Sequence, residues 1–296
     1  MRIVSLVPSA TEMLFALGAG DAVVGVTHEC DFPPEALDLP KVTIDRLPPG
    51  LDTREIDEAV RSYTETGEAI YELNAERLRE LQPDLIVTQA LCAVCAVSAD
   101  DVREVAKDIE SEPTVLSLDP MTLGEVLADI PILAKAIDRE AAGTELVADC
   151  SARIDAVRMA VRGARRPRVL AIEWLDPVFI GGHWVPQLID YAGGEDVLGL
   201  AGERSEVFEW DVIKAARPEV VVVMPCGYDA ERSQEEAYTF GDELEELDAK
   251  HVVAVDAAGL FSRPSHRLVE GLETLAHILH PDRVPEAPSP PLEVAL

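Results

Sequence analysis

Several motifs that mark familiar enzyme chemistries are missing from this sequence. It has no GxGxxG after the first predicted strand, and no GxxxxGK[ST], GxSxG or HExxH. Dinucleotide binding, phosphate-loop chemistry, serine hydrolysis and zinc-protease chemistry are therefore unsupported. We accordingly expect no catalytic role.

Long apolar runs and basic clusters are missing as well. No stretch is long and apolar enough to cross a membrane, so membrane insertion is not expected. Lys and Arg total 25 against 56 Asp and Glu, which gives a formal net charge of −31. Without a basic patch, nucleic acid is an improbable partner. The acids are spread along the chain, a pattern typical of a solvated surface in a high-salt, halophilic cytoplasm, where salt screens the self-repulsion.

The first residues contain no pattern of a secretory signal. Met1 and Arg2 lead directly into a predicted strand at 3–7, without an apolar segment and a small-residue cleavage site. We therefore expect a cytoplasmic protein. The sequence has five cysteines, and an odd number in that compartment favours free thiols or metal ligands over a disulfide framework.

What the sequence does contain is a long amphipathic stretch at 121–166. Its apolar residues recur at intervals of three and four, which predicts a helix. Pro131 and Gly143 weaken that helix, so we expect a kink or a short helix leading into a longer one. Cys150 is expected to be a plain packing residue on it.

The segments before and after this stretch follow one plan. In each, continuous apolar strands alternate with helical patterns, which predicts parallel sheets covered on both faces. The expected fold is α/β, with two Rossmann-like lobes that have parallel sheets and are joined by a long backbone helix. The predicted boundaries are an N-terminal lobe at 1–120, the connecting helix at 121–166, a C-terminal lobe at 167–280 and a disordered, proline-rich tail at 281–296.

The loops that follow the predicted strands carry the candidate binding residues. In open α/β sheets, ligands lie beyond the carboxyl ends of the strands, so two lobes facing each other would present these loops to one ligand. The candidate ligand contacts in the loops are Ser9, Thr11, His28, Gln89, Trp174, Asp176, His183, Trp184, Tyr228, Phe261 and Arg263. The alternative is core packing for the tryptophans, a polar tip beside Trp184 for His183 and a surface pairing for Arg263.

A second set of loop residues has metal-ligand chemistry: His28, Cys30, Cys92, Cys95 and Cys226. Of these, His28, Cys30, Cys92 and Cys95 would supply a tetrahedral zinc site or an iron–sulfur site. Alternatively, Cys92 and Cys95 at a helix N-terminus would form a redox pair. A cytoplasmic metal- or thiol-dependent enzyme that uses Cys30, Cys92, Cys95 and Cys226 is therefore the alternative function.

Three segments carry a resemblance to a known family. They are RIVSLVPSATE at 2–12 followed by LGAGD at 17–21, LQPDLI at 81–86, and the central helical stretch. With them the chain resembles the helical-backbone periplasmic binding proteins, which are the substrate-binding proteins of cobalamin and iron-complex ABC transporters. The resemblance covers residues 2 to about 280.

The resemblance implies a non-enzymatic protein that holds cobalamin, another corrinoid or an iron or other metal chelate in the cleft between its lobes. Carried over by position, Ser9, Thr11, Trp174, Trp184 and Phe261 would line that cleft. Aromatic faces suit a flat macrocycle through stacking and apolar burial. The implied partners are the small-molecule chelate and, if the protein is exported, an ABC permease. The cysteine set departs from the family and suggests a cytoplasmic offshoot.

Overall fold

A computed structural model of the protein describes residues 1–66, 69–89 and 99–296. The strands in these ranges are β1 (Ile3–Ser5), β2 (Val23–Val26), β3 (Thr43–Asp45), β4 (Tyr71–Leu73), β5 (Leu85–Thr88), β6 (Thr114–Ser117), β7 (Arg168–Leu175), β8 (Val178–Ile180), β9 (Glu195–Asp196), β10 (Glu206–Val207), β11 (Val220–Val223), β12 (His251–Ala254) and β13 (Leu292–Glu293). The helices are α1 (Pro8–Ala16), α2 (Thr53–Thr66), α3 (Ala75–Leu81), α4 (Ala99–Ala106), α5 (Leu123–Ala136), α6 (Glu140–Ala160), α7 (Val185–Tyr191), α8 (Trp210–Ala216), α9 (Ala230–Thr239), α10 (Gly241–Glu245), α11 (Ala257–Leu260) and α12 (Leu268–Leu279).

The chain divides into two compact units. Unit 1 contains Met1–Pro120 and Leu127–Val147, and unit 2 contains Met121–Val126 and Ala148–Leu296. Within the described residues, the structure contains no helix with the length and apolar character needed to span a membrane.

Unit 1 is built on a parallel sheet with the strand order β2-β1-β5-β6. Successive side chains of a strand point to opposite faces. On one face, Ile3 and Val87 pack into the core beneath α1, and on the other, Val4 and Ile86 pack with residues of α3 and α4. Every residue of β5 is buried, as expected for a parallel strand with both faces covered. Strands β3 and β4 form a separate antiparallel pair.

Unit 2 is built on a mixed sheet with the strand order β10-β8-β7-β11-β12-β13, and β9 also pairs with β7. Strands β9, β7, β11 and β12 are parallel. Strands β8, β10 and β13 run antiparallel to their neighbours. The predicted parallel sheet is thus present as β9, β7, β11 and β12. Strand β8 is antiparallel because a two-residue turn after β7 reverses the chain, so that β8 pairs with β7.

The C-terminal segment is not a structureless tail. Its strand β13 pairs with β12 through Leu292 opposite Ala254, and Val294 is buried in the core of unit 2. Gln234 Nε2 also donates to the carbonyl oxygen of Glu293 at 2.6 Å. The prediction of disorder at 281–296 is wrong here, because the many prolines masked a short apolar alternation that completes the sheet edge.

The central stretch contains two helices, α5 and α6, instead of one. As expected, a shorter helix leads into a longer one, but the break lies at residues 137–139 and not at Pro131 or Gly143. Asp138 has a φ of 55°, a left-handed conformation that ends a right-handed helix. Gly143 serves a different purpose: a Cβ built on it would lie 2.5 Å from the Cβ of Ala134. The absence of a side chain therefore lets α6 approach α5 within unit 1.

We predict that Gly143→Ala destabilises the protein by about 1–3 kcal/mol through this overpacking, although alanine favours helix by up to about 1 kcal/mol. Gly124→Ala on α5 is the matched control, because its nearest atom would be Thr122 Oγ1 at 3.9 Å. Urea unfolding of both variants checks this. Equal free energies of unfolding for the two variants would contradict it.

Candidate functional site

Three loops at the carboxyl end of the unit 2 sheet are joined by backbone hydrogen bonds. The amide of Cys226, after β11, donates to the carbonyl oxygen of Glu173 in β7 at 3.1 Å. The amide of Ala258, after β12, donates to the carbonyl oxygen of Tyr228 at 3.0 Å. Parallel strands end at the same edge, so residues distant in sequence come together here. This edge is the candidate binding surface of unit 2.

An aromatic and cationic stack lies on this surface. The rings of Trp174 and Tyr228 meet edge to face, with centroids 5.6 Å apart and an interplanar angle of 64°. The guanidinium of Arg232, on α9, lies 3.7 Å from the centroid of Tyr228, which is within cation–π range. Tyr228 is buried, whereas Trp174 is half-buried. Of the two aromatic rings, Trp174 is therefore the one that has surface left for a ligand, and Arg232 is exposed beside them.

Trp184 and Phe261, which were predicted to line the cleft, are both buried. Trp184 is 4% exposed and Phe261 is 2% exposed, and Trp184 Nε1 donates to the carbonyl oxygen of Phe261 at 2.7 Å. This bond ties the start of α7 to the end of α11. We therefore regard both as supports of the loops, since their rings offer almost no surface to a ligand.

Glu173, the residue before Trp174, has a carboxyl group with a raised pKa. Burial raises its pKa to about 7, against weaker opposing effects of hydrogen bonds from Ser205 and from the backbone of Gly182. Ser205 Oγ donates to Glu173 Oε2 at 2.5 Å, and the Gly182 amide donates to Ser205 Oγ at 3.2 Å. A carboxyl in this state is partly protonated at neutral pH.

Ser205 and Arg232 are functional candidates that sequence reasoning missed. Ser205 lies in a charged surface segment, and no motif surrounds it. Arg232 lies in the first turn of α9, whereas Tyr228 precedes that helix, so no helical spacing in the sequence indicated their contact. Asp176 and Arg263 are both half-buried, and their ligand role stays a prediction.

The predicted residues of unit 1 form a buried hydroxyl and thiol cluster. Thr11 Oγ1 donates to Ser5 Oγ at 2.9 Å and lies 3.1 Å from Cys30 Sγ. Thr27 Oγ1 lies 3.2 Å from the same sulfur. Thr11 is 0% exposed and Cys30 is 1% exposed. The cluster therefore fastens α1 to the loop after β2, and Thr11 has no surface with which to line a cleft.

The other unit 1 candidates are anchored or buried. His28 Nδ1 lies 2.8 Å from Thr43 Oγ1, and its ring meets Tyr71 edge to face at 4.8 Å. His28 thus connects the loop after β2 with the β3–β4 pair. Ser9 is 5% exposed in the first turn of α1, and Gln89, directly after β5, is 7% exposed.

Only part of the predicted metal site lies within the described residues. Cys92 and Cys95 lie outside the described residues. Within those residues, no three His, Cys, Asp or Glu side chains come together in a way that would hold a metal ion. Cys30 is buried and Cys226 is exposed. Cys150 is 1% exposed, and burial raises its pKa to about 11, which fits plain packing.

A surface pocket of about 510 Å³ lies at the other end of the unit 2 strands. Its cations already have partners: Lys250 Nζ lies 2.9 Å from Glu219 Oε1, and Arg165 also binds Glu219. These two bonds, the one from Arg165 first, lower the pKa of Glu219 to about 2. The pocket is at the amino ends of β11 and β12, away from the loops discussed above.

Comparison with known proteins establishes the family. A model described as "Periplasmic binding protein" matches residues 3–249, and the chain belongs to this family. The predicted resemblance is thereby confirmed. The family consists of binding proteins, which agrees with the expectation of no catalytic role.

Individual relatives are distant. A vitamin B12-binding protein of Vibrio cholerae serotype O1 is 25% identical over 198 residues, which are 66% of this chain. The match spans only 60% of the length of that relative. The uncharacterized ABC transporter substrate-binding lipoprotein YvrC of Bacillus subtilis is 25% identical over 301 residues, 96% of this chain and 82% of that protein.

A solved structure supports the fold. The periplasmic heme-binding protein HutB of Vibrio cholerae aligns with a TM-score of 0.72 at 19% identity, over 95% of this chain and 99% of that chain. At this identity the likeness confirms the α/β fold of the two-lobe binding proteins and nothing finer.

The predicted cytoplasmic location is wrong. The family and the matched proteins are periplasmic binding proteins or lipoproteins, which points to an exported protein. The prediction rested only on the lack of a signal pattern in the first residues.

The raised pKa of Glu173 predicts how stability depends on pH. Between the ordinary value of 4.5 and the folded value of about 7, the folded state holds a proton that the unfolded state has lost, so stability falls as pH rises through this window. Glu173→Gln removes the effect. We expect the variant to gain stability relative to the parent by on the order of 1–3 kcal/mol between pH 5 and pH 8.

Urea unfolding at both pH values and fixed salt measures this difference. Glu243→Gln, a change at an exposed acid of α10, controls for loss of one negative charge. A stability difference between parent and Glu173→Gln that is the same at pH 5 and pH 8 would contradict the prediction.

Proposed function

We propose that this protein binds a flat metal chelate, with a cobalt corrinoid such as cobalamin favoured over an iron porphyrin, and delivers it to an ABC permease. The proposal is supported by family membership and by relatives whose names specify vitamin B12 or heme. It applies the ligand class of those relatives to this chain.

The observation that carries the proposal is the Trp174–Tyr228–Arg232 stack. Ring faces and a guanidinium plane bind flat conjugated molecules through apolar burial and stacking. Tyr228 contacts the indole of Trp174 edge to face, and Arg232 in turn lies over the ring of Tyr228, so little side-chain entropy is lost when a ligand binds. The half-buried Trp174 is then the principal ligand contact in unit 2.

The charge of the protein favours corrinoids over anionic porphyrins. Heme carries two propionates, and a chain with a formal charge of −31 repels anions at low salt. Cobalamin and cobinamide expose neutral amide side chains instead. The repulsion is screened within about 8 Å at physiological ionic strength, so it disfavours heme without forbidding it.

Absorbance titration and calorimetry with cyanocobalamin, cobinamide and hemin test the proposal. We expect saturable binding of a corrinoid, and Trp174→Leu should weaken it by roughly tenfold, the loss of one well-packed anchor. Tyr238→Leu is the control, because Tyr238 is an aromatic residue of α9 that is 47% exposed. Circular dichroism verifies that both variants fold.

Failure to bind any of the three chelates or a ferric siderophore would rule the proposal out. Equal weakening by Trp174→Leu and Tyr238→Leu would instead show that the stack has no special role.

A resident zinc or iron ion is a separate and narrower proposal, which depends on Cys92 and Cys95. Elemental analysis of protein purified without chelators should find about one metal ion per chain, and it should be lost in the double variant Cys92→Ser, Cys95→Ser. Cys150→Ser is the control, since that thiol is packed in unit 2. Less than a tenth of an equivalent in the parent would contradict a tight site.

A further inference from the structure

The pocket of about 510 Å³ at the amino ends of β11 and β12 is built separately from the candidate binding surface of unit 2. Its volume is within the range of pockets that hold small molecules, which is about 300–1,000 Å³. Its lining comes from the loop between α6 and β7, from the starts of β11 and β12, and from the segment 277–293. Most of the lining lies beyond the match to the family, which ends at residue 249. The pocket is therefore not a feature that defines the family.

Hydrogen bonds fix the C-terminal wall of this pocket. The amides of Arg283 and Val284 both donate to the carbonyl oxygen of His280 at 2.9 Å, which closes a turn after α12. His277 Nδ1 lies 2.8 Å from the carbonyl oxygen of Val284. Further along the chain, β13 pairs with β12. The wall is therefore preformed, and little ordering is required when a ligand enters.

Apolar side chains line much of the pocket. Val220 and Val253, on the neighbouring strands β11 and β12, are almost fully buried. Ile278 and Leu279, in the last turn of α12, are half-buried, and they keep apolar surface that a ligand would remove from water. A wholly polar ligand such as free phosphate would leave this surface unused. The ligand that fits the pocket has an apolar body.

One carboxylate in the pocket holds two cations. Lys250 Nζ lies 2.9 Å from Glu219 Oε1, and Arg165 Nη2 lies 2.7 Å from Glu219 Oε2. The bond from Arg165, and then the bond from Lys250, lower the pKa of Glu219 to about 2, so this carboxylate stays ionised at neutral pH. Because one negative charge neutralises only one of the two cations, the group keeps an excess positive charge. The side chains of Arg165 and Lys250 are 69% and 65% exposed, so that charge is accessible.

The cations of the pocket also have N–H donors to spare. A lysine ammonium has three donors and an arginine guanidinium has five. Among the described residues, Lys250 donates only to Glu219, and Arg165 donates only through Nη2, also to Glu219. Arg283, which lines the pocket too, donates through Nη1 to two carbonyl oxygens at and just beyond the end of α6, both at 3.1 Å. The remaining donors suit the oxygens of an anionic ligand.

The local balance of charge differs from that of the whole chain. The lining contains three Lys and Arg and three Asp and Glu, against 25 and 56 in the sequence. Two of those acids, Asp282 and Glu293, are exposed, and Glu293 Oε1 lies 3.9 Å from His251 Nδ1. Charges more than about 8 Å away are screened at physiological ionic strength. The pocket can therefore accept an anion although the chain as a whole repels anions.

We propose that this pocket is a second binding site, for a small organic carboxylate with an apolar body, which is the class of medium-chain fatty acids and aromatic acids. The apolar body lies against Ile278 and Leu279. The carboxylate accepts hydrogen bonds from the spare donors of Lys250 and Arg165. This site is at the opposite end of the unit 2 strands from the candidate binding surface, and its occupation does not require a chelate.

Sodium octanoate is the probe, and calorimetry measures its binding to the full chain without any chelate. Octanol has the same number of carbons and no charge, so it reports the contribution of the carboxylate. Ala164→Trp fills the pocket, because Ala164 is a half-buried residue of the lining. Lys250→Met removes one cation and keeps an apolar side chain of similar length. Lys214→Met is the matched control, since Lys214 Nζ lies 3.0 Å from Glu246 Oε2, outside the pocket lining.

We expect octanoate to bind the parent protein saturably with one equivalent, and octanol to bind at least about tenfold more weakly. Lys250→Met should weaken the binding of octanoate by roughly tenfold, the loss of one charged hydrogen-bond partner. Ala164→Trp should abolish it. Lys214→Met should bind octanoate like the parent.

Three results would overturn the inference. The first is no saturable binding of octanoate by the parent protein. The second is equal binding by the parent and by Ala164→Trp that circular dichroism shows to be folded, because octanoate would then bind elsewhere. The third is equal affinity of Lys250→Met and Lys214→Met for octanoate, a comparison that decides by itself if Ala164→Trp does not fold. None of these results bears on the binding of a chelate, so the proposed function is tested separately.

Discussion

The hydrogen bonding of strand β7 on both of its edges is the constraint on which unit 2 depends. The strand pairs with β11 on one side, and with β8 and β9 on the other. Because both edges of β7 are hydrogen-bonded to neighbouring strands, the position of its carboxyl end is fixed. Glu173 and Trp174 are therefore delivered to the same sheet edge as the loops after β11 and β12. Strand β8 returns along β7 and carries the chain into Gly181, Gly182 and His183.

Close backbone packing next to that edge converts a loop into a rigid element. Gly181, Gly182 and Gly199 have neighbours so near that a Cβ would collide with them. Flexible side chains would lose rotamer freedom if they held the segments this close together. Backbone hydrogen bonds hold the segments together at little side-chain entropic cost. The result is a preorganised surface, and preorganisation is what makes the binding of a rigid ligand efficient.

Much of the fold could be predicted from the sequence, since periodicity reports burial directly. The parallel strands of unit 1 and the two-helix central stretch follow from apolar runs and from three- and four-residue spacing. The short strand β8 was suggested by Val178–Ile180 and the glycines after it, but β10 and β13 could not be predicted, because they are two residues long and contain too few positions to show a period. Strand β13 was further hidden by the prolines before it.

The residues of the candidate site could likewise be predicted only in part. The sequence by itself determined which chemistries were available: aromatic rings, imidazoles and thiols in the segments after strands, within an acidic chain. Only the tertiary structure decided which of them have surface or lone pairs to offer. Trp184, Phe261 and Thr11 became supports because their neighbours bury them, whereas Trp174 kept an accessible ring. His183 is half-buried beside Trp184, with a φ of 51° and no hydrogen-bond partner for its ring among the described residues. Those properties arise from packing between distant segments, which no local pattern records.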